Sequence, residues 1–383
     1  MSLAVPIAFW TSVALLVYIY FGYPLTVWAV GLLKRTKLDR EPWTGPISVV
    51  VVAYNEATRL RAKLNSIFDS DCGSQIREVL IGSDGSTDAT AYLIDEYGDD
   101  RVRLIEFEER RGKPACLNDL IAECSSEVIV LTDARQELHP QAISTLAATF
   151  ADFRIGAVSG ELVLRESRGE TSAARGIGFY WKYEKFIRRC ESRFRSVPGA
   201  TGALYAIRRN VFRPIAEDSI LDDVVLPMQI IERGYHCAFE PGAIAYDEPS
   251  QSPTKESIRK RRTIAGCVQL MRDHPRWLNP RVNPIWWEYV SHKILRLFSP
   301  LLLVIAAATN VWLASDPRYL CLASVQGAFY VTAFMGWYYQ HIGRRSAVFG
   351  PSLMFVVLNL TTLAAWWDAM RGRFTPKWQQ AAP

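Results

Sequence analysis

The sequence of 383 residues has few cysteines, and none forms a pair at the spacing of a zinc or redox site. They are scattered along the chain as Cys72, Cys116, Cys124, Cys190, Cys237, Cys267 and Cys321. The five histidines likewise form no pair at metal-ligand spacing. An odd number of unpatterned cysteines predicts free, buried thiols in a reducing compartment, so most of the chain should face the cytoplasm.

Two familiar nucleotide-binding motifs are also missing. The chain has neither GxxxxGK(S/T) nor GxGxxG, which argues against a P-loop nucleotidase and a dinucleotide oxidoreductase. The net charge of +5 is a small excess of Lys and Arg. Cations that flank a membrane explain it better than a nucleic-acid groove, so we expect no nucleic-acid partner.

Charge is absent from residues 6–33, a stretch long enough to cross a bilayer. It starts without the basic residues of a signal peptide and runs into Lys34, Arg35, Lys37 and Arg40. Residues 1–40 are therefore interpreted as a transmembrane helix with a basic, cytoplasmic flank.

Three more apolar stretches, 294–314, 319–339 and 347–367, lie within a C-terminal membrane region of residues 294–370. Three spans after a cytoplasmic domain would place the tail at 371–383 outside, but its basic residues favour the cytoplasm. Two or three spans are therefore predicted. If there are two, the last segment is interfacial or re-entrant. Residues 274–293 are rich in Trp, Tyr and cations and predict an amphipathic helix in the headgroup layer; an ordinary linker is the alternative.

Residues 41–273 show alternating strand and helix patterns. The strands are predicted at 47–53, 78–82, 102–107 and 128–132, and the helices at 59–68, 89–97 and 113–124. This alternation predicts an α/β domain with a mainly parallel, Rossmann-like sheet whose ligands bind at the carboxyl ends of the strands.

Polar side chains follow three of these strands. They are Tyr54-Asn55-Glu56, the turn at 83–88 and Asp133-Ala134-Arg135. A carboxylate at such a position suits a ribose, a base N–H or a metal that carries a diphosphate. Taken singly, Asp84-Gly85 is also a common turn and Asp88 a helix cap.

An ordered set of motifs resembles the family 2 glycosyltransferases, which have the GT-A fold. The set comprises VVVAYNE, DGSTD, RGKPACLN, TDAR, PGATGALYAIRR, ILDD and an Arg-rich helix, over residues 46–269. The flanking helices resemble those of the integral-membrane branch. The resemblance implies a nucleotide-diphospho-sugar transferase with a mixed sheet.

The resemblance implies donor-binding roles for the strand tips. Tyr54, Asn55 and Glu56 close the first strand beside the nucleotide, and Asp84 matches the carboxylate that holds the uracil and ribose of a UDP-sugar. Lys113 is similar to the cation near the diphosphate.

Asp133 matches the first aspartate of the DxD motif, which binds a divalent ion, Mg²⁺ or Mn²⁺. Arg135 stands at the third position instead of a carboxylate, so metal dependence is the least secure part of the match. A hard ion needs few protein carboxylates when phosphate and water supply oxygens. Alternatively, Arg135 neutralises phosphate itself.

The adjacent pair Asp222 and Asp223 matches the acidic pair of the family, whose second member is the general base. The acceptor hydroxyl must lose a proton, and a carboxylate within hydrogen-bond reach can take it. Two carboxylates before an apolar helix also form an ordinary N-terminal cap.

The Q-x-x-R-W motif of processive members corresponds to residues 259–262 and Thr263. Arg262 retains the arginine, which can meet a leaving diphosphate. Because Thr263 replaces the Trp, synthesis of long chains is less expected. The alternative interpretation of this basic run is attraction to anionic lipid.

The acceptor side is assigned to an aromatic and basic helix over 179–195, including Trp181, and to the small turn containing Thr201 and Gly202, with Asp222 nearby. Core packing is the alternative for the aromatic stripe.

Together these features predict a membrane-bound inverting glycosyltransferase that moves sugar from a nucleotide donor, expected to be UDP-linked, to a lipid-linked or polysaccharide acceptor of surface glycan synthesis. Its catalytic domain would face the cytoplasm at a bacterial inner membrane. The alternatives are a processive polysaccharide synthase with a secretion channel and a catalytically silent membrane scaffold of the same fold.

Overall fold

A computed structural model describes residues 3–34, 36–165, 172–248, 253–342, 344 and 348–372. The β-branched run after Pro46 forms the first strand of a mixed sheet, because such residues pack well when both faces are covered. The strands are β1 (Ile47–Ala53), β2 (Ile76–Asp84), β3 (Val102–Phe107), β4 (Val128–Asp133), β5 (Glu137–Leu138), β6 (Ile155–Leu164), β7 (Leu204–Arg208) and β8 (His236–Asp247).

The spatial order of the strands is β3-β2-β1-β4-β7-β6-β8-β5. The first four are parallel, as the sequence predicts. β7 runs antiparallel to both β4 and β6, and β8 pairs parallel with β6 and antiparallel with β5. The second half of the sheet, β5 to β8, was not predicted.

Helices cover both faces of the sheet. Those of the sheet domain are α3 (Ala57–Phe68), α4 (Thr90–Tyr97), α5 (Lys113–Glu123), α6 (Ala142–Ala148), α7 (Ser172–Phe194), α8 (Asp222–Glu232) and α9 (Pro253–Asp273). Alternate residues of β1 enter two separate cores, Val50 on the side of α5 and α8, Val49 and Val51 on the side of α3 and α6. This division follows from the period of two in a strand.

The helices outside the sheet domain are apolar. They are α1 (Ala4–Val17), which continues through a π-helical turn into α2 (Tyr23–Leu33), then α10 (Trp286–Tyr289), α11 (Ser299–Trp312), α12 (Pro317–His341) and α13 (Gly350–Met370). Among the described residues, four continuous helices are long and apolar enough to cross a membrane: Ala4–Leu33, Trp286–Trp312, Pro317–His341 and Gly350–Met370. Arg35 lies outside the described residues, and so does the tail at 373–383.

The segment at 274–293 differs from the predicted amphipathic surface helix. It starts with a 3-10 turn, Pro275–Leu278, and from Trp286 onward it belongs to the helix that leads into α11. Trp277 and Tyr289 are fully buried, and His274 stacks on the Trp277 ring. Because these aromatic rings pack against protein, they are not an aromatic face for lipid.

Buried polar contacts join the membrane helices to α7. The Tyr23 hydroxyl donates to Glu191 Oε1 at 2.5 Å, and His292 Nδ1 lies 2.8 Å from the same oxygen. Arg195 donates through Nε and Nη2 to both oxygens of Glu288, at 2.9 and 3.0 Å. A buried carboxylate is costly without such partners, so these contacts fix how α7 sits on the membrane helices.

Tight packing between β6 and α8 gives a test of this architecture. A Cβ atom on Gly156 would lie 2.5 Å from Ile230 Cγ2 and 2.8 Å from Tyr235 Cβ. We expect Gly156→Ala to lower the free energy of unfolding by about 1–3 kcal/mol through overpacking. The measurement is the unfolding midpoint of the purified protein in detergent.

Gly327 on α12 provides the matched control, because nothing lies within 4 Å of a Cβ atom built there. Gly327→Ala should leave the midpoint unchanged or slightly raised. Equal midpoints for the Gly156→Ala variant and the wild type would contradict the packing of β6 against α8.

Candidate active site

The carboxyl ends of β1, β2 and β4 meet at one edge of the sheet. Ala53 of β1 lies opposite Ser83 of β2, and Val52 lies opposite Asp133 of β4. Neighbouring strands are about 4.8 Å apart, so the ends of β2 and β4 lie on either side of the β1 end. The predicted polar strand ends therefore converge.

Asn55 links the end of β1 to the turn after β2. Its backbone has a φ of 53°, a left-handed conformation that Asn tolerates better than most residues. Its side-chain oxygen accepts from the Thr87 N–H at 2.8 Å, and its own N–H donates to Ser86 Oγ at 3.2 Å. Asp88 accepts from the Ala57 N–H at the start of α3 and from the Thr90 N–H at the start of α4, each at 3.1 Å, while Ala89 occupies the N-cap position of α4.

The neighbours of Asn55 make separate contacts. The Arg110 guanidinium lies 3.8 Å from the centre of the Tyr54 ring. Glu56 pairs with Arg59 one turn along α3 at 2.9 Å. Tyr54 therefore borders the loop before α5, whereas the Glu56 carboxylate is held by its own helix.

Asp84 is buried beneath the loop that precedes α5. Its carboxylate accepts from the backbone N–H of Arg111 at 2.7 Å and of Gly112 at 3.0 Å, and the Cys116 thiol lies 3.5 Å away. Only 4% of the residue is exposed. Asp84 thus shapes the loop that delivers Lys113, a role that the sequence did not suggest.

Lys113, the first residue of α5, lies between two carboxylates. Its Nζ is 2.7 Å from Asp133 Oδ1 and 3.2 Å from Asp222 Oδ2. Burial alone would lower the pKa of the ammonium, but the two carboxylates raise it above its ordinary value. The structure therefore brings together the predicted phosphate cation, the predicted metal ligand and the first member of the acidic pair.

Asp223 faces the turn at 199–202. Its Oδ2 accepts from the Gly202 N–H at 3.1 Å, and its carbonyl accepts from the Ala200 N–H at 2.6 Å. Burial, and then the neighbouring Asp222 charge, raise the pKa of Asp223 to about 6. A carboxylate with this pKa is ionised at neutral pH and is basic enough to take a proton.

The turn at 199–202 is held by Arg188 of α7. Its guanidinium donates to the carbonyls of Gly199 at 3.2 Å and Ala200 at 2.7 Å, and to Thr201 Oγ1 at 3.0 Å. Sequence reasoning missed Arg188, since no motif marks it. Trp181 lies on the same helix about two turns earlier, which places it on the same face as Arg188.

Arg262 of α9 completes the cluster of charges. It interacts electrostatically with Asp222, Asp133 and Asp223, while burial lowers the pKa of its guanidinium. The arginine of the Arg-rich helix is therefore within electrostatic reach of the three carboxylates. The side chain of Arg259, the position that matches the Gln, lies outside the described residues.

Arg135 does not point to a phosphate site of its own. Its Nη2 donates to Asp247 Oδ2 at 2.5 Å, and Asp247 also accepts from Gln136 Nε2 at 3.1 Å. Arg135, which replaces the second carboxylate of the DxD pattern, therefore forms an ion pair with Asp247 at the end of β8.

The residues at this edge suit a metal ion only in part. The described part of the chain has no group of three or more His, Cys, Asp or Glu placed to hold an ion. Asp133 retains some exposure, with 18% of its side chain accessible. Mg²⁺ and Mn²⁺ take phosphate and water oxygens readily, so Asp133 fits an ion that arrives with a diphosphate.

The solved structures identify the class of fold. A mannosyltransferase from Pyrobaculum calidifontis, PcManGT, solved in complex with GDP-Man and Mn²⁺, matches with a TM-score of 0.70 and 23% identity. The match covers 95% of this chain and 99% of that one. The fold is therefore GT-A, as the motifs implied.

Residues 48–215 match the family model described as Glycosyl transferase family 2. An N-acetylglucosaminyltransferase of Azorhizobium caulinodans is 26% identical over 54% of this chain and 56% of its own length. A poly-beta-1,6-N-acetyl-D-glucosamine synthase of Staphylococcus epidermidis is 24% identical over 70% of this chain and 63% of its own. The chain thus spans between half and two thirds of these relatives.

The Arg188 contacts generate a stability prediction. Arg188→Leu would leave the carbonyls of Gly199 and Ala200 without their charged donor, so we expect a loss of about 1–3 kcal/mol in the free energy of unfolding. Arg189→Leu, which removes a half-exposed pair with Glu161, should cost less than about 1 kcal/mol. Equal unfolding midpoints for the two variants would show that Arg188 does not hold the turn.

Proposed function

We propose that this protein is a membrane-bound, inverting glycosyltransferase that uses a nucleotide sugar, with a UDP-sugar as the expected donor. The observation that carries the proposal is the cluster of Asp133, Asp222 and Asp223 around Lys113, with Arg262 beside it. Such a cluster offers a base for the acceptor and cations for a leaving diphosphate.

The donor would bind across the ends of β1, β2 and β4, with Tyr54, Asn55, Glu56 and Asp84 on the nucleotide side. Asp133 would hold the divalent ion, which neutralises phosphate charge when bound. The Mn²⁺ in the PcManGT complex supports a divalent ion but belongs to that protein.

Asp223 would take the proton of the acceptor hydroxyl as it attacks the anomeric carbon from the face opposite the diphosphate. The hydroxyl oxygen forms the new glycosidic bond, the bond to the diphosphate breaks, and the proton passes to the carboxylate. Lys113 and Arg262 stabilise the charge that develops on the departing oxygen. Inversion of the anomeric configuration follows from this single displacement.

The acceptor would approach past Thr201, Gly202 and Trp181, beside α7, the helix that packs on the apolar helices with another of its faces. Four apolar helices in the described residues and a relative named as a poly-beta-1,6-N-acetyl-D-glucosamine synthase support a lipid-linked or polysaccharide acceptor. The basic residues after the first helix favour a cytoplasmic domain at a bacterial inner membrane.

A processive synthase with a channel is the second candidate, since one relative is named a synthase. A channel needs polar side chains that face a lumen. Asn359, Thr361 and Thr362 of α13 are buried and donate to carbonyls of their own helix. These polar side chains of the described residues are therefore not available to line a channel, which argues against the synthase.

The central test is release of nucleoside diphosphate by the purified protein in lipid, with a panel of UDP-sugars, GDP-mannose and either Mg²⁺ or Mn²⁺. We expect release from one donor and a loss of about 10²-fold or more in Asp223→Asn, because general-base catalysis is removed. Asp95→Asn, the same change on the exposed face of α4, should be fully active. An Asp223→Asn variant that releases diphosphate as fast as an active wild type would point to another base, whereas no release by either protein would support a silent scaffold.

The raised pKa of Asp223 generates a pH prediction. Below pH 6 the carboxylate is protonated and cannot act as a base, so kcat/KM should rise about tenfold per pH unit and level off above 6. Because the Asp222 charge contributes to the shift, Asp222→Asn should move the midpoint to lower pH. A flat profile between pH 5 and 8 would contradict the assignment.

A further inference from the structure

Lys63 of α3 is a buried lysine that no motif accounts for. Only 1% of the residue is exposed, and its Nζ donates to Thr132 Oγ1 at 2.5 Å and to the Gln136 carbonyl at 2.9 Å. These two partners flank Asp133-Ala134-Arg135, the segment after β4. Lys63 therefore holds both ends of the segment that carries the proposed metal ligand.

Folding alone gives little reason for an ammonium at this position. Both partners of Lys63 are neutral, and burial lowers the pKa of Lys63 to about 7 despite the nearby charges of Asp133 and Glu137. Burying a charged group is costly unless it is paired with an opposite charge, so an ammonium with two neutral partners adds little to folding stability. A role in placing the surrounding groups explains the charge better.

The contacts continue from Lys63 to the other side of the site. Thr132 Oγ1, which accepts from Lys63, donates in turn to the Ala203 carbonyl at 2.7 Å. Ala203 directly follows Gly202, whose N–H donates to Asp223. One chain of hydrogen bonds thus runs from Lys63 through Thr132 to the turn that positions Asp223.

We propose that Lys63 and Thr132 are positioning residues that fix the donor-side Asp133 relative to the acceptor-side Asp223. The inference rests on the proposed transfer reaction. Thr132 immediately precedes Asp133 in β4 and its hydroxyl donates to Ala203, so a shift of Thr132 would change the position of the metal ligand relative to the Gly202 turn. A misplacement of about 1 Å between reacting groups can lower a rate by about 10²-fold.

Thr132 offers the sharper test, because valine has the same shape without the hydroxyl and serine keeps the hydroxyl. We expect Thr132→Val to lower kcat by about 10-fold or more and Thr132→Ser to remain within about 3-fold of the wild type. The KM for the donor and the calorimetric affinity for UDP or GDP with Mn²⁺ should change by less than about 3-fold in both.

Lys63→Met tests the other end, with Arg61→Met as the control for loss of an exposed cation from the same helix. Lys63→Met should lower kcat as Thr132→Val does, and the double variant should be no worse than the poorer single one, because both break the same chain. Arg61→Met should match the wild type. If Lys63→Met does not fold, the Thr132 pair still decides.

The chain of hydrogen bonds from Lys63 through Thr132 to the Gly202 turn, called the relay below, is contradicted by either of two results. One is a kcat of Thr132→Val within 2-fold of the kcat of Thr132→Ser. The other is a loss of kcat in Thr132→Val that is accompanied by an equal loss of nucleotide affinity and a lower unfolding midpoint. The latter result would mean general structural damage. A wild type that releases no diphosphate from any donor would overturn the proposed function together with the relay. An active wild type with equal Thr132 variants would overturn the relay alone.

Discussion

The contact on which the site depends is the buried ammonium of Lys113 between the carboxylates of Asp133 and Asp222. These residues come from α5, β4 and α8, so one cation fixes three elements around one point. Asp133 and Asp222 would repel each other without it, and each would be costly to bury. In the proposed reaction the same cation would also face the diphosphate, so the stability of the site and the binding of the donor would depend on one group.

The anchor in the membrane helices reaches the site through α7. Tyr23 and His292 hold Glu191 near the end of that helix, and Arg188, about one turn earlier, holds the turn at 199–202. Since the Gly202 N–H donates to Asp223, the position of the proposed base depends on how α7 sits on the membrane helices. A sheet domain without the membrane helices would keep Arg188 but lose the contacts of Tyr23 and His292 with Glu191.

The strand ends could be predicted from sequence because period and residue type are local signals. β1 to β4 and the convergence of Asn55, Asp84 and Asp133 follow from them. Arg188 and Lys63 could not be predicted, since their contacts join distant parts of the chain and no local pattern marks them. The segment at 274–293 was misread for a related reason. Its aromatic residues look amphipathic in sequence, but Trp277 and Tyr289 are buried against each other and the domain core in the fold, while Trp286 and Trp287 stay partly exposed.

The Arg135–Asp247 pair bears on how the site balances charge. A second carboxylate at position 135 would add a fourth negative charge beside Asp133, Asp222 and Asp223, with only Lys113 and Arg262 to oppose it. With arginine there, directed away to Asp247, the cluster holds three carboxylates against two cations, a net charge of −1 that one divalent ion would reverse to +1 before a diphosphate adds its own negative charge. The arginine at position 135 is therefore consistent with an ion that is held mainly by its substrate.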